Sequence, residues 1–257
     1  MLGVFINCAA IVVGSILGVL LTKKMSKKME DAITVGSGFV VIVMGMQMAF
    51  KYENVVYFTL SIILGGIVGT AIDLDAKVLN LGKAIERLVY HKSKEEQLLE
   101  EKQQRAESLS QETELSKKSF PLAFLNASVL FCTGAMAILG SLKAGIEKDY
   151  SILITKSILD GFIAISFAAA MGIGTAFSAI AIFVYEGAIT LLSSLVKPFC
   201  TDMMLNELTG TGGCLIVMVA INLIGLKKVK TANYLFAMIF TVIFVILDPY
   251  IKNIIHF

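Results

Sequence analysis

The sequence predicts an all-α integral membrane protein, a polytopic transmembrane helical bundle of about eight spans. The chain is 56% hydrophobic and only 16% charged, with a mean hydropathy of +0.81, outside the range of soluble domains. A helix needs roughly 20 apolar residues to cross a bilayer, and stretches of that length recur along the whole chain. Basic residues gather between alternate stretches, as they do in membrane proteins of fixed orientation.

Six stretches contain no Asp, Glu, Lys or Arg: Leu2–Thr22, Ala32–Phe50, Asn54–Ile72, Ser119–Leu142, Leu208–Leu226 and Thr231–Leu247. Two more stretches, Ser151–Ile173 and Gly174–Val196, carry isolated charges. This gives eight spans, or six if residues 151–196 are re-entrant or form one broken unit. The first stretch lacks the basic start and small-residue cleavage site of a signal peptide, so it is expected to be retained.

Charge asymmetry predicts the orientation, because Lys and Arg collect in cytoplasmic loops. Sixteen of the 22 basic residues fall on one side of an eight-span topology, in segments 23–28, 77–118 and 227–230. The opposite side holds five basic residues. We therefore expect a multi-pass membrane protein with both termini outside.

Three parts follow along the chain: spans 1–3 in residues 1–72, a hydrophilic segment in 73–118, and spans 4–8 in 119–257. The apolar residues of 76–90 recur at helical spacing with charges between them, which predicts an amphipathic helix on the inner membrane surface or against the bundle. Residues 91–118 are rich in Glu, Lys, Gln and Ser. They are expected to form a charged cytoplasmic linker.

An inverted repeat is suggested by two similar segments, Gly38–Gln47 and Gly213–Asn222. Each begins with glycine, continues through aliphatic residues and ends in an amide. On the expected topology they cross the membrane in opposite directions, so spans 1–3 and 6–8 would be related as in many secondary transporters.

Glycine spacing predicts close helix packing. The steps Gly14–Gly18 and Gly65–Gly69 let helices approach closely, either within one chain or in a homodimer. Glycine clusters at 35–38, 171–175 and 208–213 indicate helix breaks or tight crossings.

Ionisable residues within the spans are candidates for a site that binds a small solute or ion. Asp160 lies near the centre of span five, with Lys156 four residues earlier and Ser157 on the same side, so Lys156 and Asp160 can form an ion pair. Glu186 is predicted at the middle of span six, which neighbours span five. Two acids and one lysine leave excess negative charge, which a bound cation or a proton would neutralise. The alternative is that Lys156 and Asp160 only hold two helices together.

Polar uncharged residues supply weaker candidates. Asn126 in span four is the first addition to the site, followed by Gln47, Asn222 and Asn7, although interhelical hydrogen bonding is their commoner role. Asp248, at the end of the last span, is expected to be solvated.

Enzymatic and nucleic-acid functions find no support in the sequence. The motifs of phosphate-binding loops, zinc proteases, serine hydrolases and redox dithiols do not occur, and the four cysteines stand singly. The lipid bilayer and a small solute or ion are therefore the expected partners, with no metal, cofactor or nucleic acid.

Five segments resemble the YqgA/YdfK-like bacterial membrane proteins, a family defined as a domain of unknown function: GVFINCAAIVVGSILG, ILGGIVGTAIDLD, LFCTGAMAILGSL, TKSILDGF and VYEGAITLL. The resemblance extends over essentially the whole chain. It implies the fold, a bacterial plasma membrane and a transport role, and it supplies neither a substrate nor an established site.

The residues and the resemblance together predict an ion-coupled transporter of a small solute or ion, with a polar site at mid-membrane. The competing interpretation is a scaffold or sensor that transports nothing and acts through the cytoplasmic linker. An intramembrane enzyme ranks third, because no nucleophile and base can be paired from this sequence.

Overall fold

The computed structural model describes residues 1–22, 25–90 and 119–255. Within these ranges every regular element is a helix, so the predicted all-α class is confirmed. The α-helices are α1 (Leu2–Thr22), α2 (Lys27–Ala49), α3 (Val55–Ile72), α4 (Leu74–Tyr90), α5 (Phe120–Cys132), α6 (Ala135–Ile146), α7 (Ser151–Met171), α8 (Gly174–Leu191), α9 (Ser193–Val196), α10 (Asp202–Ile224) and α11 (Phe236–Ile255). Short 3₁₀ turns cover Lys197–Phe199 and Thr231–Leu235.

Helix boundaries follow from local chemistry. Asn54 begins α3 by accepting hydrogen bonds from the backbone N–H groups of Val56 and Tyr57, and Thr201 begins α10 in the same way. Gly225 ends α10 with a φ of 80°, a left-handed conformation that costs glycine little. The spans are therefore closed by capping residues as well as by the change to polar sequence.

In the part of the chain that the structure describes, seven candidate spans are continuous helical segments, and an eighth is the pair α5 and α6, whose axes differ by 66°. The packing of this pair shows that it crosses the bundle. At the start of α5, the backbone at Phe120 meets Gly174 at the start of α8, and near the end of α6 Gly145 meets Thr190 near the end of α8. The pair thus runs beside α8 along its length, as one broken span rather than a re-entrant loop.

Direct contacts between helices fit eight spans whose directions alternate along the chain. Helix α1 runs parallel to α7, with Gly3 beside Leu153 and Gly18 beside Ile165. Helix α3 runs antiparallel to α11, since Gly69 meets Asn233 at one end. The six-span alternative is therefore excluded, because α7 and α8 are two full helices of opposite direction.

Close packing explains the glycine steps. A Cβ on Gly14 or Gly18 would collide with the backbone of α7, and one on Gly65 or Gly69 would collide with the backbone around α11. Both steps are therefore occupied by contacts within one chain. A homodimer stays a prediction that these glycines do not support.

Two glycine clusters differ from the expectation of helix breaks, since α2 and α10 continue through 35–38 and 208–213. In α10 the cluster makes a tight crossing instead, because a Cβ on Gly213 would collide with the backbone of α2. The third cluster holds the turn between α7 and α8, where Gly172 has a φ of 94°. The bend within a span occurs elsewhere, at Thr133 and Gly134.

The two segments of the suggested inverted repeat lie on α2 and α10, which pack against each other antiparallel. The repeat itself stays a prediction.

Helix α4 corresponds to the predicted amphipathic helix, and its Gly82 lies against Pro121 at the start of α5. The predicted linker at 91–118 lies outside the described residues.

Candidate functional site

Lys156 and Asp160 form the centre of a buried charged site. Both are on α7, one turn apart, and the Lys156 ammonium donates a hydrogen bond to Asp160 Oδ2 in an ion pair. The exposed fractions are 5% for Lys156 and 7% for Asp160. The predicted i, i+4 ion pair is therefore present, and it lies inside the bundle.

Glu186 and Asn7 extend the site onto two further helices. Glu186 Oε1 lies 3.6 Å from Lys156 Nζ, and the same oxygen accepts a hydrogen bond of 3.0 Å from Asn7 Nδ2. Glu186 and Asn7 are both fully buried. We call Asn7, Lys156, Asp160 and Glu186 the polar cluster. It joins α1, α7 and α8, and Gly14 and Gly18 of α1 let that helix approach α7 closely.

Depth within the spans differs between the two acids. Asp160 stands next to Gly161, the central residue of α7, as predicted. Helix α8 ends at Leu191, so Glu186 lies in its last third rather than at the middle of a longer span. Because α1 and α8 run antiparallel, that position brings Glu186 level with Asn7.

The helix break between α5 and α6 adjoins the polar cluster. Lys156 Nζ donates a 2.9 Å hydrogen bond to the backbone carbonyl oxygen of Phe131, in the last turn of α5. Thr133 is extended and Gly134 has a φ of 116°, so the chain cannot continue as one helix. The last carbonyls of a helix lack intrahelical donors and carry partial negative charge. Lys156 therefore balances a helix end and two carboxylates at once.

The charges of the polar cluster do not balance, and not all of its hydrogen-bonding atoms have partners. One ammonium faces two carboxyl groups, and a fully buried uncompensated charge is costly. In addition, Asn7 Oδ1 and Glu186 Oε2 are buried and have no hydrogen-bond partner among the described residues. Both atoms are acceptors on side chains that already touch each other. The site is thus short of one positive charge or one hydrogen-bond donor.

Two other predicted residues lie near these helices without joining the polar cluster. Ser157 donates its hydroxyl to the Leu153 carbonyl of its own helix at 2.6 Å, which leaves it no proton for a ligand. Asn126 is fully buried on α5, and its amide nitrogen approaches Met171 Sδ at 3.8 Å. Its Oδ1 has no partner among the described residues, so Asn126 keeps an acceptor available.

The remaining secondary candidates lie elsewhere. Gln47 is exposed on α2. Asn222, near the end of α10, bonds both the N–H and the carbonyl of Val229 and holds the loop before α11. Only Asn7 of this group belongs to the polar cluster.

Two further acids are buried at the end of the bundle opposite the loop before α11, and their burial was not predicted from the sequence. Glu207 is fully buried on α10, and its Oε1 accepts the backbone N–H groups of Glu53 and Asn54. The sequence places it just before an apolar stretch, so only its four-residue spacing from Thr211 could have indicated an inward side chain. The expectation that Asp248 is solvated was wrong: it is 8% exposed and accepts a 3.0 Å hydrogen bond from the Tyr57 hydroxyl.

A charged network also ties α4 to the loop before α11. Asp75 is buried, its Oδ1 accepts from the Ala232 N–H, and its own N–H donates to Asn233 Oδ1 at 2.8 Å. Burial raises the pKa of the Asp75 carboxyl above its ordinary value. Within the described residues, no three His, Cys, Asp or Glu side chains converge as a metal site.

The fold and the polar cluster together define a polytopic membrane protein with a charged, water-excluded site beside a broken helix. A family model described as "Protein of unknown function (DUF554)" matches residues 2–246, and the chain belongs to that family. This confirms the resemblance seen in the sequence.

Two relatives match over nearly their full lengths. The chain is 29% identical over 252 residues to the "Uncharacterized membrane protein YdfK" of Bacillus subtilis (strain 168), covering 96% of this chain and 97% of the relative. It is 26% identical over 238 residues to the "Uncharacterized protein YqgA" of Escherichia coli (strain K12), covering 93% of each. No solved structure matches the chain.

Proposed function

We propose that this protein is an ion-coupled transporter of a small solute or ion, with the polar cluster as its site. The observation that carries the proposal is the burial of Lys156, Asp160 and Glu186 together beside a helix break. Ionisable groups inside a membrane bundle are expensive and commonly mark transport pathways. A structural ion pair alone would require neither the second acid nor the break.

The break supports transport because it exposes backbone groups inside the bundle. Irregular backbone at membrane depth is tolerated only where protein or a cavity surrounds it. Secondary transporters use such discontinuous helices to bind substrates and coupling ions. Here the end of α5 presents the Phe131 carbonyl oxygen to Lys156. The first turn of α6 has Gly134 as its N-cap, which has no side chain to accept the N–H groups there.

The packing of the break also supports movement between two states. One group of helices contains α1, α5, α6, α7 and α8, and the other contains α2, α3, α10 and α11. Thr133 contacts Gly212 of α10, and Gly134 faces Met48 of α2, so the break lies where the groups meet. Rocking of one group against the other would alternate access to the polar cluster, as in transporters built from repeats.

Orientation forms part of the proposal. The basic loop after α10 would lie in the cytoplasm together with α4, and the loop between α6 and α7 would face outward. Both termini would then be outside, and the membrane would be a bacterial plasma membrane. The excess of basic residues on one side supports this arrangement.

Thermal unfolding of the purified full-length protein, measured with a panel of ions and small metabolites, tests the proposal. A ligand present at 100 times its dissociation constant stabilises the folded state by about 2.7 kcal/mol. We expect at least one solute to stabilise the parent, to be taken up by proteoliposomes, and to lose both effects in Asp160→Asn. A panel without any hit would favour the scaffold or sensor.

A further inference from the structure

Glu186 and Asn7 each leave one buried atom unsatisfied while bonding to each other. Asn7 Nδ2 donates to Glu186 Oε1 at 3.0 Å. Their second atoms, Asn7 Oδ1 and Glu186 Oε2, have no partner in the described structure. Both side chains are fully buried, so bulk water does not reach them. A single hydrogen atom between these two acceptors would satisfy both.

We propose that Glu186 carries a proton on Oε2 and is the proton-exchanging group of this site, so that the coupling ion is H⁺. This inference rests on the proposed transport function and names its coupling ion. The terminal torsions of Glu and Asn side chains are soft, so rotation about them lets Oε2–H donate to Asn7 Oδ1. The carboxyl and the carboxamide then form a ring with two hydrogen bonds.

Charge balance assigns the proton to Glu186 rather than to Asp160. Asp160 is in direct contact with the Lys156 ammonium, and these two charges neutralise each other. Glu186 lies farther from the ammonium, at 3.6 Å. With Glu186 neutral, the polar cluster has no net charge, and the cost of a buried unpaired carboxylate is avoided.

The other ionisable groups near Glu186 are two thiols and a phenol, which carry no positive charge in either protonation state. Cys8 on α1 and Cys132 on α5 lie within electrostatic reach of Glu186, and Tyr185 precedes it on α8. On α6, Lys143 is exposed and faces Asp149 instead. None of these groups supplies the missing positive charge.

Loss of the proton would act on the helix break through Lys156. When rocking of the helix groups opens the site to water, the Oε2–H bond breaks, the proton passes to a water molecule, and Glu186 remains as a carboxylate that attracts the ammonium of Lys156. That ammonium also donates to the Phe131 carbonyl at the end of α5. A stronger hold by Glu186 weakens this bond, so the protonation state of Glu186 and the geometry of the break are linked.

Infrared spectroscopy tests the proposal on the full-length protein in lipid, because a protonated carboxyl has a carbonyl stretch that a carboxylate lacks. At neutral pH, with choline as the only added cation, we expect the parent to show this band. Glu186→Gln should remove the band and remain folded, since a Gln amide can make the same two bonds with Asn7. Glu207→Gln, the matched change at the other fully buried glutamate, should leave the Glu186 band in place.

Two outcomes would overturn the proposal. One is a spectrum in which Glu186→Gln removes no carboxyl band. The other is a band that sodium chloride abolishes in the parent, which would make Na⁺ the ion bound at Glu186. Neither outcome depends on solute uptake. A band lost in Glu186→Gln would uphold the protonated glutamate even if no solute were transported, and solute uptake without the band would uphold transport alone.

Discussion

Lys156 donates a hydrogen bond of 2.9 Å to the backbone carbonyl oxygen of Phe131, 25 residues earlier in the chain. The ammonium thus stabilises the interrupted end of α5 while it pairs with Asp160 on its own helix. A charged side chain and a broken backbone compensate each other here, since each alone would leave unsatisfied groups inside the bundle.

Replacing Lys156 and Asp160 separates their structural and functional roles. Each single change, Lys156→Met or Asp160→Leu, should cost about 3–5 kcal/mol of stability, because it leaves one buried charge unpaired. The double change should recover most of that loss, since apolar replacements of a buried pair are often neutral or stabilising. The measurement is thermal unfolding in detergent together with stabilisation by any solute that acts on the parent. A folded double variant that still responds to solute would contradict a role in binding.

Gly134→Ala tests the backbone of the break. Its φ of 116° is unfavourable for a residue with a Cβ, and the new atom would lie 3.2 Å from Met48 Cε. We expect a loss on the order of 1–3 kcal/mol. Gly36→Ala is the matched control, because Gly36 lies within α2 and a Cβ added there would have no neighbouring atom within 4 Å. That change should raise stability by about 0.5–1 kcal/mol, and equal losses in both variants would contradict the assignment of strain to Gly134.

Labelling of single cysteines tests the orientation. In a background without the four native cysteines, Glu147→Cys should react with an impermeant thiol reagent in intact cells, and Lys228→Cys should react only after the membrane is permeabilised. Both positions are exposed, so accessibility to solvent is matched and only the side of the membrane differs. The reverse pattern would place α4 and the linker outside.

Asp75→Asn tests the buried carboxyl between α4 and the loop before α11. Its pKa is raised from an ordinary 3.8 by burial, so the unfolded chain gives up this proton at lower pH than the folded protein. Stability then falls as pH rises from near 4 through the higher folded pKa, and it is level above that. The variant should therefore gain stability relative to the parent over this interval. Unfolding temperatures of parent and variant across pH 4 to 8 measure the difference.

The neighbouring change Asp73→Asn controls for net charge in that experiment. Asp73 is exposed, with a 3.2 Å ion pair to Lys230, and it has a φ of 50° that Asn also tolerates. We expect no comparable rise with pH in the unfolding temperature of this variant relative to that of the parent. A similar curve for both variants would assign the effect to overall charge rather than to burial of Asp75.

The sequence predicts what depends on local spacing. Apolar length indicates the helices, and the four-residue separation of Lys156 and Asp160 indicates their ion pair. The hydrogen bond between Asn7 and Glu186 joins residues 179 positions apart, and no local pattern encodes it. Burial of Glu207 is equally nonlocal, because backbone N–H groups of the loop before α3 supply its hydrogen bonds.

The position of the helix break could not be predicted from glycine content. The glycine clusters in α2 and α10 nevertheless remain helical: the backbone of α2 fills the space that a side chain on Gly213 would take, whereas Gly36 has open space beside it. The break at Gly134 occurs because α6 begins there in a direction different from that of α5. Lys156 stabilises the break, since it donates a hydrogen bond to the Phe131 carbonyl at the exposed end of α5. The deciding interaction comes from another helix, so composition does not reveal it.

The contact between Asn7 and Glu186 also sets an order for assembly in the membrane. Helix α1 is synthesised well before α7 and α8, yet its glycine face fits α7 and its buried amide bonds α8. Until α7 and α8 emerge from the ribosome, Asn7 has no native partner in the bilayer, so these two helices must insert before α1 can reach its final place. Residues 151–191 therefore complete the folding of a helix made more than a hundred residues earlier.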